Sequence, residues 1–104
     1  MDLDELRDAN QKRAKLWGNK TGIEFAMVEL AGEVGELANE IKKRRRQELG
    51  MAGGKDDAQA IADELADVVI CADLLAAKLG VDLSDAVRNK FNSTSQKHGF
   101  DVLI

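Results

Sequence analysis

Two parallel stripes of residues constrain the fold of this chain more than any other feature. The apolar stripe recurs at spacings of four and three residues, which is the period of one helix face, and comprises Ile23, Met27, Leu30, Val34, Leu37 and Ile41. The acidic stripe beside it keeps the same spacing and comprises Glu29, Glu33, Glu36 and Glu40. Like charges one turn apart destabilise a helix by roughly 0.2–0.5 kcal/mol per pair. The pattern therefore predicts a long helix whose acidic face has a compensating partner.

Two glycines interrupt the same helix. Gly32 and Gly35 lie among the acidic residues, and each costs up to about 1 kcal/mol relative to alanine in a helix interior. Close approach by another helix or by a ligand would explain why they are there.

A second acidic pair follows on the next predicted helix. Glu64 and Asp67 lie one helical turn apart, beside an apolar ridge over Ile61, Leu65, Val68, Ala72, Leu75 and Leu79. Asp67 immediately precedes Val68, so its side chain is expected to point toward the bundle. A buried carboxylate needs a partner, and the sequence offers few fixed cations nearby, which makes a metal ion a reasonable candidate.

The remaining pattern predicts an all-α protein with one domain over residues 1–104. Apolar residues make up 44% of the chain and proline is absent. Helices are predicted from 2 to about 17, from a cap at Thr21 with Glu24 as its capping-box partner to near Leu49, from a cap at Asp56 or Asp57 to Gly80, and from about 83 to 97. Trp17-Gly18-Asn19 should end the first helix, Asp56 or Asp57 should cap the third, and Asp82 or Ser84 should cap the fourth.

Composition limits the classes of function. A formal charge of −4 argues against binding to a nucleic-acid polymer. No apolar stretch is long enough to span a membrane, and the charged N-terminus lacks an apolar signal core, so a cytoplasmic protein is expected. Cys71 is the single cysteine and is expected to be an inert core thiol. His98 is the single histidine and is expected to be structural or exposed.

Carboxylates on two facing helices favour a particular metal chemistry. Oxygen ligands suit Mg²⁺, with Mn²⁺ as a possible substitute, and disfavour zinc. A di-iron bundle would need Glu-x-x-His pairs, which the chain lacks. Mg²⁺ held by a few carboxylates usually completes its shell with water and substrate phosphates.

Two other features are candidates for substrate contact, each with an ordinary structural explanation. Trp17 could stack on a nucleobase or act as a lid on the core. The basic run at 42–46 could face phosphates, with Lys43 as the representative candidate, or it could be a solvated helix end.

The two acidic pairs together resemble the signature of the MazG-like family of nucleoside triphosphate pyrophosphohydrolases, which is Glu-x-x-Glu, a spacer, then Glu-x-x-Asp. The matching residues are Glu33, Glu36, Glu64 and Asp67. The resemblance extends from about residue 17 to residue 100. It implies a four-helix bundle with two long antiparallel central helices, assembled as a dimer or tetramer.

The same resemblance implies an activity and its residues. The activity would be Mg²⁺-dependent cleavage of a (deoxy)nucleoside triphosphate to the monophosphate and pyrophosphate, in nucleotide-pool house-cleaning. All four acids would hold metal, and Glu33 and Glu36 would also be catalytic. Lys90 matches the family's lysine on the last helix, and Asn92 stands two residues later, where relatives often carry an asparagine or arginine. Ser93 and Thr94 at the next positions depart from that pattern.

Two alternatives remain at this level. A phosphoribosyl-ATP pyrophosphohydrolase would keep the fold and the metal, although the Glu-Val-Gly-Glu motif at 33–36 and the basic run at 42–46 fit that activity less well. A non-catalytic helical interaction module would keep the fold alone, with its acids merely solvated.

Overall fold

A computed structural model of the chain describes residues 1–18 and 20–104, and these form four α-helices and no strand. The helices are α1 (Leu3–Leu16), α2 (Ile23–Glu48), α3 (Ala58–Lys78) and α4 (Leu83–Lys97). The all-α prediction with four helices is confirmed. Asn19, which the sequence places at the end of the first helix, lies outside the described residues.

Aspartate side chains cap three of the four helices. Asp2 accepts a hydrogen bond from the backbone N–H of Glu5 at 2.8 Å. Asp57 accepts from Ala60 at 3.0 Å, and Asp82 accepts from an N–H one turn into α4 at 3.1 Å. Each cap satisfies an N–H that has no partner within its helix. The sequence offered two candidate caps for α3 and two for α4. The structure shows that Asp57 caps α3 and Asp82 caps α4.

The start of α2 differs from the expectation. Its N-cap is Gly22, and the first helical hydrogen bond runs from the N–H of Ala26 to the carbonyl of Gly22 at 3.2 Å. The prediction that Thr21 caps this helix is therefore wrong, because the chain enters the helix one residue later. The carbonyl of Thr21 instead accepts a hydrogen bond from Lys78 Nζ at 2.6 Å, which ties this loop to the end of α3.

The long helices α2 and α3 form the main packed pair, joined by a loop over residues 49–57. This loop folds back on α2, since the N–H of Lys55 donates to the carbonyl of Lys43 at 3.0 Å. Gly54 makes the return possible, because a Cβ there would lie 2.5 Å from the backbone nitrogen of Gln47. The loop thus sets the direction in which the chain passes from α2 to α3.

A buried polar network fastens α1 to α3. Asp73 is fully buried, and its two carboxylate oxygens accept from Arg7 Nε and Asn10 Nδ2, each at 3.0 Å. Asn10 Nδ2 also lies 3.2 Å from the carbonyl of Ile70, and Arg7 Nη2 donates to the carbonyl of Val81 at 2.7 Å. Asp73 therefore joins α3 to α1, and Arg7 links this pair to the turn before α4.

The molecule is extended for its length. Its radius of gyration is 17.0 Å, compared with about 13 Å for a compact domain of this size. Only Ala26 and Ala76 are fully buried among the apolar residues of the described chain. Among the described residues, α4 packs on α1 and has no extensive contact with α2 or α3. Large apolar side chains consequently remain exposed along the helices.

Candidate metal centre

The acidic cluster, which we define as Glu33, Glu36, Glu64 and Asp67, lies where α2 and α3 pack together. Its carboxylates come from neighbouring turns of each helix, as the one-turn spacing requires. Glu33, Glu64 and Asp67 are each half-buried, and each offers one oxygen within 4.8 Å of the others'. The structure thus brings three of the four expected metal ligands into one group.

The carboxylates in this cluster perturb one another. Burial raises the pKa of Glu64 to about 7, and a hydrogen bond to Glu36 and the nearby negative charges act in the same direction. Burial likewise raises the pKa of Glu33, followed by the charges of Glu36 and Asp67. The cluster therefore favours either a shared proton or a bound cation.

Two oxygens of the cluster lack a hydrogen-bond partner. Oε2 of Glu33 and Oε2 of Glu64 are buried, and neither has a partner among the described residues. Leaving a buried polar atom unpaired is costly. Oxygens of this kind, with no nitrogen or sulfur in the group, fit a hard divalent cation such as Mg²⁺ or Mn²⁺.

Glu36 stands outside the group of three. It is exposed, whereas the other three acids are half-buried. It borders the same cavity as Glu33 and Asp67, and its charge raises the pKa of both Glu33 and Glu64. It is therefore close enough to complete a metal site or to act on a water molecule beside one.

An open cavity of about 420 Å³ adjoins the cluster, and we call it the acidic cavity. Its walls come from α1, α2 and α3, and Trp17 lies at its α1 side, as its candidate role as a base-stacking residue requires. The lining residues are Arg13, Trp17, Glu29, Gly32, Glu33, Glu36, Asp67, Ile70, Cys71 and Leu74.

Cys71 differs from the expectation of a core thiol. It is half-buried and lines the acidic cavity instead of lying in the interior. Burial raises the pKa of its thiol, and the charges of Glu33, Glu29 and Asp67 add to the effect. The thiol therefore stays protonated at neutral pH and is a poor nucleophile.

The other three candidate substrate residues lie elsewhere on the described chain. Lys43 Nζ is paired with Glu40 at 2.9 Å. Lys90 borders a separate apolar cavity of about 480 Å³ on α4. Asn92 holds the backbone of Ile104 through both side-chain atoms, at 2.9 and 3.0 Å. In the described part of the chain, none of the three lines the acidic cavity.

Sequence reasoning missed two features of this part of the molecule. Arg13 lies at helical spacing with Leu6, Ala9 and Leu16 on α1 but lines the acidic cavity, and a cation within that apolar stripe was the available signal. Asp73 looked like one more acid on α3, although it is the most deeply buried side chain. No local pattern distinguishes it, because its partners Arg7 and Asn10 are more than 60 residues away along the chain.

Comparison with known proteins gives one family and two relatives. The family model described as the MazG-like family matches residues 14–102. Over 73 residues the chain is 37% identical to mouse dCTP pyrophosphatase 1. The aligned region covers 69% of this chain and 43% of the mouse protein. Over 84 residues it is 35% identical to the Gene 37 protein of Mycobacterium phage L5, covering 79% and 71% respectively.

The chain spans less than half the length of the mouse relative. No solved structure gives a significant match. Across the described residues, no helix combines the length and apolar character that crossing a bilayer demands.

Proposed function

Because the chain belongs to the MazG-like family, we propose that it is a nucleoside triphosphate pyrophosphohydrolase, which cleaves a (deoxy)nucleoside triphosphate to the monophosphate and pyrophosphate. The observation that carries this proposal is the pair of buried, unpartnered oxygens on Glu33 and Glu64, beside Asp67 and an open cavity. A merely solvated acidic face would leave its oxygens in water. The dCTP pyrophosphatase named among the relatives supports a nucleotide substrate.

The cofactor in this proposal is Mg²⁺, with Mn²⁺ as a substitute. Glu33, Glu64 and Asp67 would hold it, and Glu36 would be the fourth ligand. When bound, the ion would neutralise phosphate charge and lower the pKa of a bound water molecule. The pKa values of Glu33 and Glu64 would fall on binding, because a cation favours the ionised carboxylates.

The protein's own residues would position the reacting groups. Glu36, exposed at the cavity, would accept the proton of the attacking water, and Glu33 would assist from the half-buried side. Trp17 would stack on the base, since 67% of its surface is exposed and it lies at the cavity wall. Attack of this water on phosphorus forms a new P–O bond and breaks the P–O–P bridge between the α- and β-phosphates, which gives the monophosphate and pyrophosphate.

Lys90, Asn92 and Lys43 remain proposed substrate contacts, and their positions bear on the assembly. Because α4 lies away from α2 and α3 in the described chain, Lys90 and Asn92 would approach the acidic cavity of a second subunit. Asn92 would have to release the backbone of Ile104 to bind substrate.

A homodimer or homotetramer is therefore part of the proposal. Large apolar residues on α2 and α3 are exposed, including Phe25 at 51%, Val28 at 71% and Val69 at 45%. Exposed apolar faces of this extent are typical of subunit interfaces. We further propose antiparallel pairing of α2 and α3, supported by their short connecting loop over residues 49–57, and a house-cleaning role in the cytoplasm.

The first test is release of pyrophosphate from a panel of nucleoside and deoxynucleoside triphosphates. The purified protein should release pyrophosphate with Mg²⁺ and none with excess EDTA, and dCTP belongs in the panel because of the mouse relative. Phosphoribosyl-ATP in the same panel distinguishes the sister activity. Absence of release from every substrate, with no effect of Mg²⁺ on thermal stability, would favour the non-catalytic module.

A further inference from the structure

Arg13 is the one positively charged side chain that lines the acidic cavity, counted over residues 1–18 and 20–104. It shares that cavity with the acidic residues Glu29, Glu33, Glu36 and Asp67. Its Cζ atom lies 4.9 Å from the centroid of the Trp17 ring, within the range of a cation–π interaction. The guanidinium is thus stacked at the wall of the cavity.

Arg13 differs from some other cations of the described chain in having no close acidic partner. In the part of the chain that the structure describes, its side chain makes no ion pair, whereas Lys43 is paired with Glu40, and Arg7 is paired with Asp73. Its charge lowers the pKa of the Cys71 thiol, opposing the larger effects of burial and the acids. That interaction indicates that the guanidinium acts on the cavity interior.

The position of Arg13 is fixed by the rest of α1. Asn10, one turn earlier on the same helix, is almost fully buried and donates to Asp73. Arg7, two turns earlier, is bonded to both Asp73 and the carbonyl of Val81. Because α1 is fastened to α3 at these points, Arg13 and Trp17 are held beside the acidic cluster.

The charge of the proposed substrate requires a cation here. A triphosphate is strongly negative and would enter a cavity lined by carboxylates, and Mg²⁺ neutralises only part of the total charge. Lys90 lies on α4 at a different cavity, so among the described residues of one chain Arg13 is the one cation that lines the acidic cavity. A guanidinium presents a planar fork of N–H donors that matches phosphate oxygens.

We propose that Arg13 binds the phosphate groups of the substrate, with its stack on Trp17 holding the guanidinium in place before the nucleotide arrives. This assignment rests on the proposed pyrophosphohydrolase activity and adds a binding residue on α1 to it. Stacking lowers the conformational entropy that an exposed arginine loses on binding, so less affinity is lost to ordering.

The test uses magnesium pyrophosphate as the probe and the fluorescence of Trp17, the single tryptophan, as a signal local to the site. The variants are Arg13→Gln, Arg13→Lys, and the matched control Lys12→Gln, which removes the same charge from an exposed position on the same helix. Calorimetry measures the affinities for magnesium pyrophosphate and for Mg²⁺ alone.

Arg13→Gln should weaken pyrophosphate binding and raise KM for the triphosphate by about tenfold, the size of one charge-assisted hydrogen bond. Arg13→Lys should recover part of that loss, and Lys12→Gln should stay within about twofold of the parent protein, as surface changes usually do. Mg²⁺ affinity should be unchanged or stronger in Arg13→Gln, because a nearby positive charge has been removed. A merely structural role would weaken both ligands together.

Two results would overturn the assignment, and they are distinguishable. If the parent protein hydrolyses triphosphates but Arg13→Gln binds pyrophosphate as tightly as Lys12→Gln does, only the role of Arg13 fails. If Arg13→Gln loses Mg²⁺ and pyrophosphate affinity together, the residue supports the fold and does not bind phosphate. If the parent protein neither binds nor hydrolyses any nucleotide, the proposed function fails and this assignment fails with it.

Discussion

The buried acid Asp73 and the half-buried acids of the acidic cluster have opposite surroundings. Both carboxylate oxygens of Asp73 accept hydrogen bonds at 3.0 Å, from Arg7 and Asn10. Glu33 and Glu64 each keep one buried oxygen without a partner in the described chain. The same chemical group is thus satisfied by the protein at one place and left unsatisfied at the other.

This contrast distinguishes a structural carboxylate from a proposed metal ligand. Taking a carboxylate out of water costs several kcal/mol unless cations and donors replace the solvent. For Asp73 the fold itself supplies them. For Glu33 and Glu64 the fold supplies further negative charges, and the resulting rise in their pKa values shows the cost. Removing a carboxylate should therefore have opposite effects on folding at the two places.

The largest effect is expected from Asp73→Ala. The substitution leaves the partly buried guanidinium of Arg7 and the buried amide of Asn10 without their acceptor. Loss of one partner of such a pair should lower the free energy of unfolding by about 3 kcal/mol or more. Urea denaturation of the purified variant measures the change.

Asp63→Ala is the matched control for that substitution. Asp63 lies on the same helix, is exposed, and accepts only a hydrogen bond from Gln59 at 2.8 Å among the described contacts. Its loss should change stability by no more than about 0.5 kcal/mol. If both alanine variants had equal stability, the Asp73 network would contribute nothing special to the fold.

At the proposed metal centre, Asp67→Asn should reduce kcat/KM and Mg²⁺ affinity by about 100-fold while keeping the helical circular dichroism signal. The reason is that a direct ligand should matter at least as much as an outer one, whose loss costs about 10-fold to 100-fold. Asp63→Asn, which makes the same chemical change four residues earlier, should retain full activity. Unfolding of the Asp67 variant would instead make that acid a structural partner.

The stability of the metal-free protein should fall as pH rises, and Mg²⁺ should oppose that fall. Glu64 has a pKa of about 7 in the folded protein and 4.5 as its ordinary value, so between these values the folded state binds more protons than the unfolded state. Stability of the metal-free protein should therefore fall as pH rises through this range. Above pH 7, Mg²⁺ should raise the melting temperature most, because the carboxylates are then free to bind it.

Glu64→Gln sharpens that pH measurement. A neutral amide removes both the burial cost of the charge and the repulsion, so the metal-free variant should melt higher than the parent above pH 7 and show a flatter pH profile. Mg²⁺ should no longer stabilise it. A parent protein whose melting temperature rises steadily with pH in EDTA would contradict the raised pKa of Glu64.

Periodicity predicted the elements of this fold but not how they assemble. The stripes of α2 and α3 depend on the 3.6-residue repeat alone, so their existence and the position of Glu33 and Glu64 on facing surfaces could be predicted. Only the cap of α2 was wrong, because Thr21 and Gly22 are both plausible caps and the choice depends on the loop's contact with Lys78.

The parts of the site that the sequence did not reveal depend on contacts between distant residues. Arg13 reaches the acidic cavity only because Asp73, 60 positions away, fastens α1 to α3. Cys71 was expected in a core, but it is half-buried and lies on the wall of the acidic cavity. Neither result follows from local propensity, because both depend on tertiary packing.

The smallest expected effect tests whether the glycine beside Glu33 serves the substrate. A Cβ at Gly32 would meet no atom within 4 Å, so Gly32→Ala should stabilise α2 by about 0.5–1 kcal/mol through helix propensity. Gly35→Ala should do the same, since a Cβ there is equally unobstructed. Gly32 lines the acidic cavity and Gly35 is not among its described lining residues, so only Gly32→Ala should raise KM for the nucleotide. Equal KM values for the two stabilised variants would place the substrate elsewhere, and would leave the acids as a metal site without the cavity as its binding pocket.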